Sequence, residues 1–122
     1  MLSTKRSILY VDDDGGARLT LTLLFGQQGY EVLAVSRSQA IQFVIPEESF
    51  DLYLLGARLS EMYKAALCRK IRAFDRDTPI IICAGDTKES KQESALCVGC
   101  TVFISKLGID KLLDQVKAEL EF

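Results

Sequence analysis

The stretch Ile8-Leu-Tyr-Val-Asp-Asp-Asp14 decides the fold, because a short, uninterrupted apolar run ends abruptly in three carboxylates. Such a run is typical of a parallel strand that is covered on both faces. Similar runs follow at Val32–Val35, Leu52–Leu55, Ile80–Cys83 and Val102–Ile104. The segments between the runs are long enough for helical crossovers and too long for hairpins. The alternation predicts an α/β domain in which a doubly wound, five-stranded parallel sheet is covered by helices.

Apolar spacing predicts helices at about 15–28, 38–45, 62–74, 88–98 and 109–120. The first helix ends before Gly29, which fits a C′ stop. The fourth, Lys88–Val98, has no apolar residue in its first two turns and is the weakest of the five. The predicted buried side of the third helix consists of five apolar residues: Met62, Ala66, Leu67, Ile71 and Phe74.

The 122 residues are one domain's worth, so residues 1–122 are predicted to form a single domain. The net charge of −2 argues against nucleic-acid binding, and Arg69, Arg72 and Arg76 are interpreted as a solvated face of the third helix. No apolar run approaches the roughly 20 residues that span a bilayer. The first apolar run stops at Asp12, so no signal peptide is predicted, and we expect a cytoplasmic protein without membrane contact.

The chain contains no histidine, which removes the commonest general base and metal ligand at neutral pH. Its four cysteines are expected to be thiols in a reducing compartment. Cys97 and Cys100 have the CxxC spacing, but a zinc site needs two more ligands, and a redox pair normally opens a helix after a strand. We interpret the cysteines as small buried or half-buried thiols.

Polar residues follow several of the predicted strands. Asp12, Asp13 and Asp14 follow the first, Arg58 comes soon after the third, and Lys106 follows the fifth. Since the carboxyl ends of parallel strands form the ligand-binding edge of such sheets, these side chains are expected to converge. An acidic cluster and a lone lysine would suit a phosphate and magnesium site.

In its whole length the chain resembles the receiver domain of response regulators in two-component signalling. The resemblance implies a flavodoxin-like strand order, 2-1-3-4-5. It also implies that Asp12 and Asp13 match an acidic pair that holds magnesium, that Lys106 matches a lysine that contacts the phosphoryl group, and that Phe103 matches a switch aromatic. The stretches that carry the resemblance are Ile8-Leu-Tyr-Val-Asp-Asp-Asp14, Asp51-Leu-Tyr-Leu-Leu55, Thr78-Pro-Ile-Ile-Ile82 and Gly99-Cys-Thr-Val-Phe-Ile-Ser-Lys106.

The departures from the family pattern bear on function. Gly56 stands where the family has its phosphoacceptor aspartate, and Ala84 stands where it has a switch serine or threonine. Leu107 replaces a proline, and Tyr63-Lys64 replaces an Asp-Gly pair. The resemblance therefore implies a receiver-like, non-enzymatic module that works without phosphorylation. No cofactor is expected to be required, and any remaining magnesium binding at Asp12 and Asp13 is expected to be weak.

A pocket that has lost its phosphoryl group still leaves Asp12 and Asp13 in need of positive charge. Lys106 and Arg58 are the candidates to supply it as internal ion pairs. The alternative for Arg58 is a side chain that points to solvent.

The leading hypothesis is a stand-alone module without an output domain that binds proteins. In the family the contact surface is usually formed by the fourth helix, the fifth strand and the fifth helix, here about Lys88–Lys117. A second hypothesis keeps phosphoryl acceptance on Asp12, Asp13 or Asp14. A third reads Asp12-Asp13-Asp14-Gly15 as resembling the opening motif of haloacid-dehalogenase-type phosphatases, with Asp12 as nucleophile and Asp14 as acid/base, although no later acidic pair follows a strand.

Overall fold

The computed structural model describes residues 5–84, 99–100, 102–105 and 108–121, the third of these ranges by its backbone. The described strands are β1 (Ser7–Val11), β2 (Glu31–Val35), β3 (Leu52–Leu55), β4 (Ile80–Ala84) and β5 (Val102–Ser105). They form one parallel sheet in the order β2-β1-β3-β4-β5. The prediction of an α/β domain built on a parallel sheet is confirmed.

The described helices are α1 (Gly15–Gln27), α2 (Arg37–Ala40), α3 (Glu61–Arg72) and α4 (Ile109–Leu120). Two of them, α1 and α3, begin at a residue whose side chain satisfies free backbone amides. Asp14 caps α1 by accepting hydrogen bonds from the amides of Gly16 and Ala17, and Ser60 caps α3 by accepting one from Tyr63. Gly29, at φ +90°, turns the chain after α1, as the sequence predicts.

Apolar side chains on both faces of the sheet form two separate cores. Alternate residues of β3 point to opposite faces, so Tyr53 and Leu55 join one core and Leu52 and Leu54 the other. Side chains of α3 fill the first core, and Phe25 of α1 together with residues of α4 fills the second. This burial on both faces explains why the strands read as nearly continuous apolar runs.

The predicted buried side of α3 is partly wrong. Met62 is 78% exposed and Ala66 is exposed, whereas Lys64 is fully buried. The residues that face the core are Lys64, Ala65, Leu67, Cys68 and Ile71. The helix is therefore rotated relative to the prediction, and a lysine lies on its inner side.

Two further expectations can be compared with the structure. The helix predicted at Lys88–Val98 lies outside the described residues, so α4 is the helix that the sequence predicts last. Within the described ranges, no helix has the length and apolar character needed to cross a membrane.

Candidate functional site

Strand pairing places Asp12 and Gly56 next to each other. In the parallel pair β1–β3, Val11 lies opposite Leu55, and Asp12 and Gly56 are the residues that follow. The Gly56 amide donates a hydrogen bond to the Val11 carbonyl at 2.8 Å. Both residues therefore lie at the carboxyl edge of the sheet, where ligands bind in folds of this kind.

The Asp12 side chain occupies the space in which a side chain at position 56 would begin. A Cβ built on Gly56 would lie 2.2 Å from Oδ2, 2.4 Å from Cγ and 2.7 Å from Cβ of Asp12. Real Cβ atoms do not approach other heavy atoms so closely. With Asp12 in this position, only glycine fits at position 56.

Asp12 is almost fully buried, with 3% of its surface exposed, and its carboxylate is held by hydrogen bonds. The Tyr10 hydroxyl donates to Oδ2 at 2.7 Å, and the Asp14 amide donates to Oδ1 at 3.3 Å. Burial, the bond to Asp12 and the charge of Asp12 all raise the pKa of Tyr10, so the phenol keeps its proton at neutral pH. Tyr10 is part of the site, although sequence reasoning did not single it out.

Asp13 and Asp14 are engaged elsewhere. Asp13 accepts a hydrogen bond from the Arg37 amide at 2.9 Å and lies 3.6 Å from the Nε atom of the same arginine. Asp14 is used as the cap of α1 and has Arg58 Nε at 3.8 Å. The three adjacent carboxylates thus point to three different sets of partners.

The predicted partner of Arg58 is corrected by this geometry. The sequence predicts that Arg58 either neutralises Asp12 and Asp13 or points to solvent; its guanidinium lies beside Asp14 instead, in a position that agrees with the solvent alternative. Its side chain is 73% exposed, so the ion pair is a weak surface pair. Among the described residues, no basic side chain makes an ion pair with Asp12.

A buried lysine that the sequence analysis missed lies beneath the end of β4. The Lys64 ammonium donates a hydrogen bond to the Cys83 carbonyl at 2.9 Å, and no part of the side chain is exposed. Burial raises the pKa of the Cys83 thiol to about 12, and the nearby Lys64 charge opposes that rise. The signal was present in the sequence, because Lys64, Leu67, Cys68 and Ile71 follow the i, i+3, i+4, i+7 spacing of a buried helix face.

Ala84 ends β4 in a buried position, with 2% of its surface exposed, and its backbone pairs with Ser105 of β5. Its methyl group offers no hydrogen-bond donor at the carboxyl edge of the sheet. Lys106 and the side chain of Phe103 lie outside the described residues, as do residues 88–98, 101 and 107 of the range Lys88–Lys117.

A cavity of about 370 Å³ opens beside Asp12, between α1 and α4. Its walls combine the Tyr10 and Asp12 side chains with apolar groups such as Leu21, Ile109 and Leu112. Within the described part of the chain, no three acidic or cysteine side chains are grouped so that they could hold a metal ion. The Tyr10 hydroxyl and the Arg37 amide already bond the carboxylates of Asp12 and Asp13, and Gly56 has no side-chain oxygen beside them.

Comparison with known proteins shows which protein family contains similar sequences. Residues 8–117 match the family model described as the response regulator receiver domain. The transcriptional regulatory protein GltR of Pseudomonas aeruginosa is 32% identical over 123 residues, covering 98% of this chain and 51% of GltR. The sporulation initiation phosphotransferase F of Bacillus subtilis is 28% identical over 114 residues, covering 93% of this chain and 92% of that protein. The chain thus spans about half of the first relative and nearly all of the second.

Solved structures share the fold. A CheY-like receiver domain protein from Methanospirillum hungatei has a TM-score of 0.83 at 24% identity, with 97% of this chain and 95% of that chain covered. The response regulator TrrA of Thermotoga maritima, solved in complex with the histidine kinase ThkA, gives a match with a TM-score of 0.76 at 23% identity, covering 95% of this chain and 99% of the matched chain. At these identities the likeness concerns the fold.

Proposed function

This chain belongs to the family of response regulator receiver domains, the signalling modules of two-component systems, and from that premise we infer that it works without phosphorylation, through contacts with other proteins. One observation carries the proposal: the Asp12 carboxylate fills the space in which an acceptor side chain at position 56 would begin. A phosphoryl acceptor must be a nucleophile held in line with its donor. Glycine provides none.

The end of β4 also supports a function that does not require phosphorylation. The family resemblance places a switch hydroxyl where this chain has the buried methyl group of Ala84. The preceding carbonyl, that of Cys83, is bonded by the Lys64 ammonium from inside the protein. Because this hydrogen bond already holds the end of β4, a bound phosphoryl group is not needed to fix its position.

The alternative acceptors are less favourable. Asp12 is buried and accepts hydrogen bonds, Asp13 is paired with Arg37, and Asp14 caps α1. The Asp12 carboxylate borders the cavity between α1 and α4, but the Tyr10 hydroxyl and the Asp14 amide hold it by hydrogen bonds, which makes it a poorer nucleophile than a free carboxylate. The phosphatase hypothesis meets the same difficulty, since it requires Asp12 as nucleophile and Asp14 as a free acid/base.

Magnesium is not required for the proposed function. The neighbouring carboxylates already have protein partners, so a metal ion would have to displace the Tyr10 hydroxyl from Asp12 or Arg37 from Asp13. We expect magnesium to bind weakly and to leave the fold unchanged.

The proposed partner is a protein. Receiver domains interact with histidine kinases and other proteins, as the complex of ThkA with TrrA illustrates. For this chain we propose the surface around Lys88–Lys117, of which the structure describes the part on α4. There Ile109 is 47% exposed beside the exposed charges of Asp110 and Lys111, a mixture suited to a protein contact.

Intact-mass measurement after incubation with acetyl phosphate and magnesium tests the proposal. We expect the natural chain to gain no phosphoryl group. The variant Gly56→Asp/Ala84→Thr places a carboxylate and a hydroxyl at these two positions. It is expected to gain one phosphoryl group, which requires the Asp12 side chain to rotate away from position 56. Gly56→Asn/Ala84→Thr is the matched control, because asparagine has nearly the same size and no carboxylate.

A receiver domain that retains its acceptor aspartate, treated in parallel, shows that the reagent is active. A phosphorylated natural chain would overturn the proposal, and peptide mapping of the modified residue would then show which carboxylate accepts the group.

A further inference from the structure

Two thiols from distant parts of the chain lie near each other on the α3 side of the sheet. Cys68 is fully buried on α3, and Cys100, just before β5, is half-buried against the apolar core that contains Cys68. A Cβ built on the neighbouring Gly99 would lie 3.8 Å from the Cys68 sulfur atom. Burial raises the pKa of Cys68, and electrostatic interaction with the Cys100 thiol raises it further.

Arg72 holds the backbone next to Cys100 in place. It follows Cys68 by one helical turn, so both side chains project from the same side of α3. Its Nε donates to the Gly99 carbonyl at 2.8 Å, and its Nη1 donates to the Thr78 carbonyl at 2.7 Å. The expectation that Arg72 belongs to a solvated face is therefore wrong: its guanidinium ties α3 to the segment before β5.

The same guanidinium provides positive charge beside both thiols. Burial raises the pKa of Cys68 and of Cys100, and the Arg72 charge lowers both pKa values in part. A cation beside a thiol favours the thiolate, which is the reactive form. Cys100 is the more exposed of the two and is therefore the thiol that a reagent from solution meets first.

We propose that Cys68 and Cys100 form a thiol–disulfide modification site that links α3 to the start of β5. The oxidant is a small disulfide of the glutathione class. The Cys100 thiolate attacks one sulfur atom of that disulfide, forming a mixed disulfide and releasing one thiol. The Cys68 thiolate then attacks the Cys100 sulfur atom and releases the second thiol. Two protein thiols are thereby oxidised to one disulfide, and the small disulfide is reduced to two thiols.

The proposed bond would change the stability of the molecule. It closes a loop that runs from α3 through β4 to the start of β5, and such a bond restricts the unfolded chain. We expect oxidation to raise Tm by roughly 5–15 °C and reduction to reverse the shift.

Peptide mapping under non-reducing conditions tests the proposal on the full chain. The folded protein is incubated with oxidised glutathione, alkylated and cleaved with trypsin. Cleavage after Lys64 and Arg69 places Cys68 in a short peptide, whereas Cys97 and Cys100 remain together in the peptide that ends at Lys106. We expect the two peptides to be joined, with the loss of two hydrogen atoms.

Two cysteine variants show which residues form the disulfide bond. Cys97→Ser should leave the linkage and the rise in Tm intact, whereas Cys100→Ser should abolish both. A bond between Cys97 and Cys100, which would stay within one peptide, would overturn the proposal. So would a mixed disulfide that persists on Cys100, or a chain that glutathione disulfide leaves unmodified. Fragmentation of the peptide that ends at Lys106 shows which of Cys97 and Cys100 carries the alkyl group, so the mapping of the natural chain decides between these outcomes even where a variant does not fold.

Discussion

Gly56 and Asp12 lie side by side at the ends of β3 and β1, and each limits what the other position accepts. Strand register makes the two residues neighbours, so the proximity follows once the strands and their order are known. The direction of the Asp12 side chain does not follow from the sequence, because it depends on the hydrogen bond from Tyr10. Sequence reasoning could therefore place Asp12 and Gly56 at one site but not predict that one fills the space of the other.

We expect Gly56→Ala to lower the free energy of unfolding by about 1–3 kcal/mol, because the added methyl group would overlap the Asp12 side chain. Urea denaturation measures the effect. Gly26→Ala is the matched control: it lies in α1, and its added Cβ would meet no atom within 4 Å. That variant should be as stable as the natural chain or gain up to about 1 kcal/mol. Equal effects of the two substitutions would show that Asp12 does not fill the space beside Gly56.

At the scale of the element, α3 is where sequence and structure differ most. Its limits follow from the Ser60 cap and from the apolar residues between 65 and 71, but its buried side does not follow from apolarity alone. Met62 is exposed and Lys64 is buried, because the lysine stem is apolar and its ammonium reaches the Cys83 carbonyl. A prediction that treats every lysine as a surface residue misses this contact between α3 and β4.

Lys64→Ala is expected to destabilise the protein by about 2–5 kcal/mol, since it removes a buried stem and leaves a cavity. Lys64→Met keeps most of the apolar volume and removes the charge, so it should cost less. Urea denaturation compares the free energy of unfolding of both variants with that of Lys70→Met, a substitution of a half-buried lysine on the same helix. The comparison separates the contribution of packing from that of the charged contact. A cost for Lys64→Ala no larger than that for Lys70→Met would contradict the buried position of Lys64.

For the molecule as a whole, the layered architecture is the most predictable property. Continuous apolar strands such as Ile8–Val11 and Ile80–Cys83 require cover on both faces, and the crossover segments supply it. The apolar pattern does not predict contacts between elements, such as those of Arg72 with the segment before β5. These depend on the reach of long polar side chains rather than on periodicity.

The tyrosines predict a pH dependence of the whole molecule. Burial is the main cause that raises the pKa of Tyr30 and Tyr53 to about 12, and it also raises that of Tyr10 and Tyr63. Unfolded chains lose these protons near pH 10, so above that pH the folded state binds more protons than the unfolded state. Stability is therefore fully present below about pH 10 and is expected to fall as the pH rises toward 12.

Phenolate absorbance checks this expectation directly. The folded chain should show little phenolate at pH 10, whereas the chain in concentrated urea should be about half ionised there. Urea denaturation at a series of alkaline pH values should give a falling free energy of unfolding, with a smaller slope for Tyr10→Phe. A folded chain that ionises with a midpoint near 10 would contradict the burial of these phenols.

The mutual fit of Gly56 and Asp12 also constrains how this chain can evolve. A single codon change that introduces aspartate at position 56 would meet the Asp12 side chain and lower stability before any gain in signalling could be selected. A change at position 10 or position 12 that lets the Asp12 carboxylate move away would lessen that cost. Positions 56 and 12 are therefore expected to be epistatic, because the cost of an aspartate at position 56 depends on the side chain at position 12.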